Sequence, residues 1–307
     1  MSAETHADQD DLHDVSVPVV VVYFRTPLPL IACLESLRTQ TCSKPEIVVV
    51  DNSSAVDERH TRPAEGDDWY WLPMSHNSGF AAACNAGVRQ GIGKYVLILN
   101  GDVVLAPDAC TELLAAIECD PQAAVVGPRI IDADDQIELS AREFPSIRTG
   151  LVGRSSLITR VLRWAGTIPP NVSMALQGQS CVVDWVSGAC MLIRREAFDR
   201  VGGFDEGYWM YWEDADLCRR LVERGYHARF VPTAVVHHAT GSSGRSPVTI
   251  RAFHDSAVRY FEKHLARSRI SKVLGRAVLW LRCRVALAHA MLEDRQTMRS
   301  SGGRRSY

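Results

Sequence analysis

The 307-residue chain has nine cysteines, an odd number, and no Cys-x-x-Cys pair among them. That scatter fits a reducing cytosol rather than a disulfide framework, and Cys33 and Cys218, set in helical apolar patterns, read as small core residues. Met1 to Asp14 is acidic and polar, with neither a basic n-region nor an apolar h-region. No secretory signal is expected there, and residues 1–16 read as a disordered acidic N-terminus. No long apolar run is uninterrupted: the best stretch, Val273 to Leu292, carries Arg276, Arg282 and Arg284, which are costly at bilayer depth, so no transmembrane helix is expected. No glycine follows the first apolar run, which excludes the Gly-rich pyrophosphate loop and disfavours an NAD-dependent oxidoreductase. Internal repeats are also lacking.

What is present is an ordinary globular composition, 46% hydrophobic and 23% charged with a net charge of −2, unevenly distributed. From Arg245 onward 14 Lys and Arg face 4 Asp and Glu, a balance of +10, which leaves −12 for residues 1–244. Three apolar runs each stop at a polar cluster: Val17 to Val22 before Tyr23-Phe24-Arg25, Ile47 to Val50 before Asp51-Asn52, and Tyr95 to Leu99 before Asn100-Gly101-Asp102. In an open α/β sheet ligands bind outside the carboxyl ends of the strands, so these clusters converge on one crevice. Helical spacing after Pro27-Leu28-Pro29 completes a β-α-β unit. Further on come Trp69 to Leu72 (a strand), Asn77-Ser78-Gly79-Phe80, a small-residue helix Ala81 to Val88 carrying Asn85, and a helix from about Asp108 to Glu118. A strand Ala123 to Val126, ended by Gly127-Pro128, closes this half. Alternation of strands and helices predicts a largely parallel sheet.

Residues 131–181 are irregular and read as an insertion or lid. Order resumes with strands at Val182 to Val186 and Met191 to Ile193, a Gly202-Gly203 turn and the aromatic run Tyr208 to Trp212. A helix from Asp214 to Arg224 follows, with Leu217, Leu221 and Val222 inward and Gly225 as its stop. Glu213, Asp214 and Asp216 stand at its start, where carboxylates commonly do no more than cap. Their setting between bulky aromatics also suits a carboxylate tuned for proton abstraction. Asp102 is a hard oxygen ligand placed where a divalent cation on a diphosphate can be held, although a lone Asp there is most often a solvated loop residue. His237 and His238 end the apolar strand Phe230 to Val236. Either can serve a metal or a diphosphate, with His237 preferred because it directly continues the strand, while Arg245 in the Gly241 to Arg245 loop suits phosphate.

The arrangement resembles the GT-A glycosyltransferases of family 2, inverting enzymes that use nucleotide-sugar donors. The resemblance rests on Val48 to Ser53, Asn77 to Phe80 with Asn85, Leu97 to Val103, Val186 to Ala189 with Arg194-Arg195, Val201 to Glu206, Glu213 to Leu217, and His237-His238 ahead of Gly241-Ser242. It spans about residues 17–262. It implies an α/β GT-A fold, a Rossmann-like nucleotide-binding mixed sheet flanked by helices in one globular unit. Residues 17–130 would form the nucleotide-sugar half and 182–265 the acceptor and catalytic half. Asp214 would be the catalytic base, and Asp102, with His237 or His238, would hold Mg²⁺ or Mn²⁺. Asn100 takes the first position of the family's Asp-X-Asp motif and leaves a single charged ligand. The donor would be bound by Tyr23, Arg25, Asp51, Asn52, Asn77, Gly79, Asn85, Asn100 and Arg245, with Gly188, Trp212 and Glu213 on the acceptor side.

Within the family, Met210 to Asp214, His237-His238 and Ser140 to Arg142 with Phe144-Pro145 are similar to bacterial rhamnosyltransferases that extend polyprenyl-pyrophosphate-linked glycans. The resemblance implies transfer of a sugar such as rhamnose from dTDP-rhamnose to a cell-envelope glycan or lipid-linked acceptor. The alternatives are a UDP-sugar donor on the same fold, or a catalytically silent sugar-nucleotide-binding protein. No nucleic-acid partner is expected. In the helical tail, 266–307, Leu274, Ala277, Val278, Leu281, Val285, Ala288 and Leu292 share one stripe bordered by Arg282 and Arg284. That stripe suits either packing on the core or a membrane surface, which would place the protein in the cytoplasm and peripherally on the cytoplasmic face of the inner membrane.

Overall fold

Continuous valine runs are strands covered on both faces, and Pro18–Tyr23 (β1) is buried at every position. The computed structural model describes residues 17–41, 45–53, 69–138, 140–146, 178–238 and 246–302, with side chains through residue 292. β1 pairs in parallel with Glu46–Asp51 (β2) and Tyr95–Asn100 (β4), and β2 in parallel with Trp69–Pro73 (β3). In this register Tyr23 lies opposite Asp51 and Val22 opposite Asn100, so three polar strand ends share one edge.

The helix Pro27–Arg38 (α1) begins with a proline in its first turn, and Phe80–Val88 (α2) lies close on the sheet because it is built of small residues. A Cβ on Gly87 would stand 2.4 Å from Val20 Cγ1. Alternate strand residues feed two cores. Val20, Val22, Val48 and Ile98 face α2, while Val19, Val21, Val49 and Leu97 face α1 and Ala109–Glu118 (α3).

After Val103–Leu105 (β5) the chain runs through Ala123–Ile131 (β6), Ile137–Glu138 (β7), Ala141–Arg142 (β8), Cys181–Val183 (β9), Trp185–Val186 (β10) and Cys190–Arg194 (β11). The short helix Arg195–Arg200 (α4), the helix Glu213–Val222 (α5) and the strand His227–His238 (β12) follow. The main sheet has ten strands in the order β3-β2-β1-β4-β11-β6-β12-β5, with β7 beside β6 and β9 beside β12, and β10 pairs β8 separately. β11 is antiparallel to both β4 and β6, which makes the sheet mixed. The chain ends in Pro247–Tyr260 (α6), a π-helical turn at Phe261–Leu265 and Arg269–Gly302 (α7).

Several elements differ from the sequence expectation. β6 continues through Gly127 and Pro128, because the last pair with β11 is Val126 opposite Leu192 and the missing proline N–H costs no bond on that side. The strand expected at 182–186 splits at Asp184, whose carboxylate accepts the Phe144 N–H at 2.7 Å. β12 is twelve residues long, with a register shift between Val231 and Val235. Val222, expected inward, is exposed, while Leu217 and Leu221 are buried as expected. All cysteines among the described residues are free thiols, and burial pushes Cys33 and Cys218 up to about 12, which keeps them unreactive.

Candidate active site

Asp102 follows β4 by two residues and turns directly into β5, which pairs antiparallel with the end of β12, His238 opposite Val103. His238 Nε2 therefore lies 3.2 Å from an Asp102 carboxylate oxygen and 3.5 Å from Asn100 Nδ2, and its Nδ1 lies 3.4 Å from Glu138 Oε2. Burial works to lower the imidazole pKa, but bonds to Asp102 and Glu138 overcome it and hold it at about 9. Strand alternation turns His237 the other way and leaves it exposed, so the preference for His237 is corrected: the histidine beside Asp102 is His238.

The same edge reaches Asp214 through β11. Asn100 N–H donates to Ala189 O at 2.9 Å, and Gly188 N–H, one residue back, donates to Asp214 Oδ2 at 3.0 Å. Asp214 Oδ1 accepts from the Ala215 N–H at 2.8 Å at the start of α5. Burial raises the Asp214 pKa, opposed by the Gly188 N–H and the charge of Arg142. Glu213 beside it is buried, and its pKa is raised well above the carboxylate range by burial and then by the Asp214 charge. Burial raises both carboxyls and weighs more on the deeper Glu213, which favours placing a shared proton there. Among the described residues Glu213 Oε2 and Trp212 Nε1 have no hydrogen-bond partner.

Glu138 and Arg142 connect the two carboxylate positions. Arg142 lies 3.6 Å from Glu138, which also meets His238, and its guanidinium sits 4.9 Å from the centre of the Trp185 ring. The sequence reading missed Glu138, a member of a two-residue strand in an irregular stretch, and its only signal was proximity to Ser140 to Arg142.

Tyr211 and Trp212 both have positive φ, 68° and 71°, conformations that bulky residues adopt only when packing imposes them. The packing comes from α6: Ser256 Oγ donates to Met210 O at 2.8 Å, Phe253 lies 5.8 Å from the Tyr211 ring, and Tyr260 lies 5.3 Å from the Trp212 ring. This turn aims α5, and with it Asp214, at Gly188.

Other expected donor residues are used internally. Asn52 is buried, donates to Asn77 Oδ1 and Gly79 O, each at 3.2 Å, and accepts the Ser78 N–H at 2.9 Å. Asn85 donates to Phe204 O at 2.9 Å and Glu206 Oε1 at 3.0 Å and accepts the Phe204 N–H at 3.0 Å, fixing the Gly202 to Phe204 turn. Both side chains are buried and bonded within the protein, which gives each a scaffold role. Tyr23 is likewise buried, its ring 5.6 Å from that of Trp71. Asn77 spends its Oδ1 on Asn52 and the Gly79 N–H but is half-buried, at the edge of the crevice. Arg25 and Asp51 stay at the strand ends, Arg25 exposed with φ 53° and Asp51 accepting the Ser53 N–H at 3.0 Å. Arg245 lies outside the described residues.

Gly79 has φ +86°, and a Cβ there would meet Trp209 O at 2.1 Å, so the fold itself demands the glycine. Gly79→Ala is expected to cost about 2–4 kcal/mol in urea unfolding. An unchanged unfolding midpoint would contradict this packing.

Asp102 supplies a carboxylate oxygen, and His238 supplies an imidazole nitrogen once a cation on Asp102 displaces the proton that Asp102 and Glu138 now stabilise. That donor set fits Mg²⁺ or Mn²⁺ taking its remaining ligands from a diphosphate and water. Among the described residues no group of three or more His, Cys, Asp and Glu side chains stands ready to bind a metal by itself.

This geometry agrees with the comparisons to known proteins. The family model for glycosyl transferase family 2 matches residues 19–202, and a model described as the N-terminal domain of galactosyltransferase matches 181–240. The chain belongs to glycosyl transferase family 2 and is a nucleotide-sugar glycosyltransferase. It is 32% identical over 258 residues, 80% of this chain and 83% of the relative, to the N-acetylglucosaminyl-diphospho-decaprenol L-rhamnosyltransferase of Mycobacterium tuberculosis. Among solved structures it resembles the mannosyltransferase PcManGT from Pyrobaculum calidifontis in complex with GDP-Man and Mn²⁺ (TM-score 0.56, 19% identity, 95% of this chain and 76% of that one). It also resembles GalNAc-T7 with UDP, GalNAc and Mn²⁺ (TM-score 0.58, 18% identity), covering 81% of this chain and 48% of that one, about half its length. The last two likenesses establish the GT-A fold.

Proposed function

We propose that the protein is an inverting, metal-dependent glycosyltransferase that moves a sugar, rhamnose from dTDP-rhamnose, onto a polyprenyl-diphosphate-linked glycan. The observation that carries the reading is the path Asp102–Asn100–Ala189–Gly188–Asp214, which sets a carboxylate and imidazole suited to a diphosphate-bound cation beside a carboxylate suited to proton abstraction. The rhamnose donor and the lipid-linked acceptor are supported by the 32% identity to the mycobacterial rhamnosyltransferase.

Asp214 accepts the proton of the acceptor hydroxyl as its oxygen attacks the anomeric carbon from the face opposite the diphosphate, which leaves with inversion. Two backbone N–H groups hold the carboxylate in place through the transfer. Asp102 and His238 would hold Mg²⁺ or Mn²⁺, whose chemistry is to neutralise charge on the leaving diphosphate. Arg25 and Asp51 face the nucleoside, and Trp212 borders the acceptor side. Glu213, buried beneath the base, shapes Asp214 rather than touching the acceptor.

The test is a donor screen with dTDP-, UDP- and GDP-sugars and a GlcNAc-diphosphate-lipid acceptor, scoring release of nucleoside diphosphate with Mn²⁺ and with chelator. Metal-dependent release of dTDP is expected. Release of UDP instead selects the UDP-sugar alternative. Asp102→Ala is expected to weaken donor binding in Mn²⁺ by about tenfold or more and to change metal-free binding little. Full activity in excess chelator would refute metal dependence.

A further inference from the structure

The stripe expected in the tail exists in α7 and faces solvent. Leu274, Val278, Leu281, Val285 and Leu292 are exposed, as are Ile270, Val273, Trp280 and Met291. The opposite face is the packed one: Leu279 joins Ala257 and Phe261 in a small core, and Gly275 admits the Phe261 ring where a Cβ would lie 2.2 Å from it. At 100° per residue the exposed apolar positions cover an arc of about 160°, over a length of about 33 Å. The helix thus has the catalytic body on one side and a broad, uncovered apolar face on the other.

Charge selects what covers it. Between Arg269 and Leu292 the helix carries five cations, Arg269, Lys272, Arg276, Arg282 and Arg284, and no carboxylate. Glu262 pairs with Arg276 from outside the helix. Arg269, Lys272 and Arg276 lie towards the packed side, Arg282 beyond one border of the exposed arc and Arg284 within it, so a second copy on this face would bury Arg284 in an apolar seam, and the arc is wider than the seam a helix pair buries. An anionic lipid surface meets both features: the apolar arc enters the headgroup boundary, Trp280 stands at its edge, and Arg284, stacked 5.7 Å from the Trp280 ring centre, can extend to phosphates. The −12 balance of residues 1–244 orients the remainder of the protein away from such a surface. Among the described residues no helix is long and apolar enough to cross a membrane.

We infer that α7 docks the protein on an anionic membrane surface through the face of Leu274, Val278, Trp280, Leu281 and Val285. The inference deepens the proposed lipid-linked acceptor, because it holds the crevice near the surface where such an acceptor resides.

The experiment is co-sedimentation of the full chain with phosphatidylglycerol vesicles and with phosphatidylcholine vesicles, without substrates, at low and high salt. Salt-sensitive binding to the anionic vesicles is expected, reduced at least about tenfold in the double variant L281D/V285D, which changes only exposed positions. Helix content by circular dichroism and turnover of a soluble short-chain acceptor should be unchanged in that variant. No binding, equal binding by the variant, or equal binding to both lipids would overturn the inference. So would a solution dimer that the double variant converts to monomer, which would assign the face to a second copy. Vesicle binding is read without turnover, so a failure of the transfer reading would leave this result standing.

Discussion

Asp214→Asn is expected to lower transfer by about 10²–10⁴-fold while leaving donor affinity nearly intact. The amide oxygen can still accept one of the two backbone N–H groups, from Gly188, but the amide nitrogen cannot accept the Ala215 N–H, so the variant loses one bond at the start of α5 together with the ability to take a proton. The pH profile separates this from a structural loss. Burial places the Asp214 pKa above the ordinary value of about 3.9. A base works only when ionised, so wild-type kcat should fall as pH drops through that raised pKa, earlier than for a solvated carboxylate. The residual rate of Asp214→Asn should lack this limb. Turnover near wild type in the variant would remove Asp214 as the base. An acid limb that persists in the variant would place the titrating group elsewhere.

The part of this site legible in the sequence was the part written into strand ends. An apolar run buried on both faces has one way to stop, at its carboxyl edge, so the ends of β1, β2 and β4 could be read without knowing their neighbours. The choice between His237 and His238 could not, because it depends on the register of β12 against β5, which the apolar stretch Phe230 to Val236 inside a twelve-residue strand does not fix. Glu138 was hidden by its setting in a two-residue strand. Asn52 and Asn85 illustrate a different limit: an asparagine suited to a ligand is equally suited to a turn, and only the turn's backbone decides which it meets. The tail stripe was legible as a pattern, and the fold decided that it faces outward, since Gly275 and Leu279 on the other side fit against Phe261.

Asp216 is the clearest case of a residue whose importance lies away from the helix start where its sequence position puts it. Its carboxylate is fully buried and receives His264 Nε2 at 2.7 Å, Lys263 Nζ at 2.7 Å and Tyr208 Oη at 3.2 Å on one oxygen, and Arg220 Nε at 2.7 Å on the other. These groups come from the aromatic run, from α5 and from the π-helical turn that joins α6 to α7. Asp216→Asn is expected to destabilise the protein by about 3–5 kcal/mol, because it leaves the largely buried Arg220 without its counter-charge, while Lys263 keeps Asp205. Burial alone would raise the Asp216 pKa, but His264, Arg220 and Lys263 hold it well below the usual carboxylate range. The sign follows: this stability is present in full above the unfolded-state pKa of about 3.9 and is lost as pH falls towards the lowered native one. Urea unfolding of wild type and variant should therefore differ by the full amount from pH 7 down to about 5, with the gap closing only in strong acid. The same variant should also lose transfer activity, since α6 holds Tyr211 and Trp212 in their positive-φ turn and Asp216 anchors the segment that follows α6. A variant as stable as wild type would show that the four contacts carry little net energy.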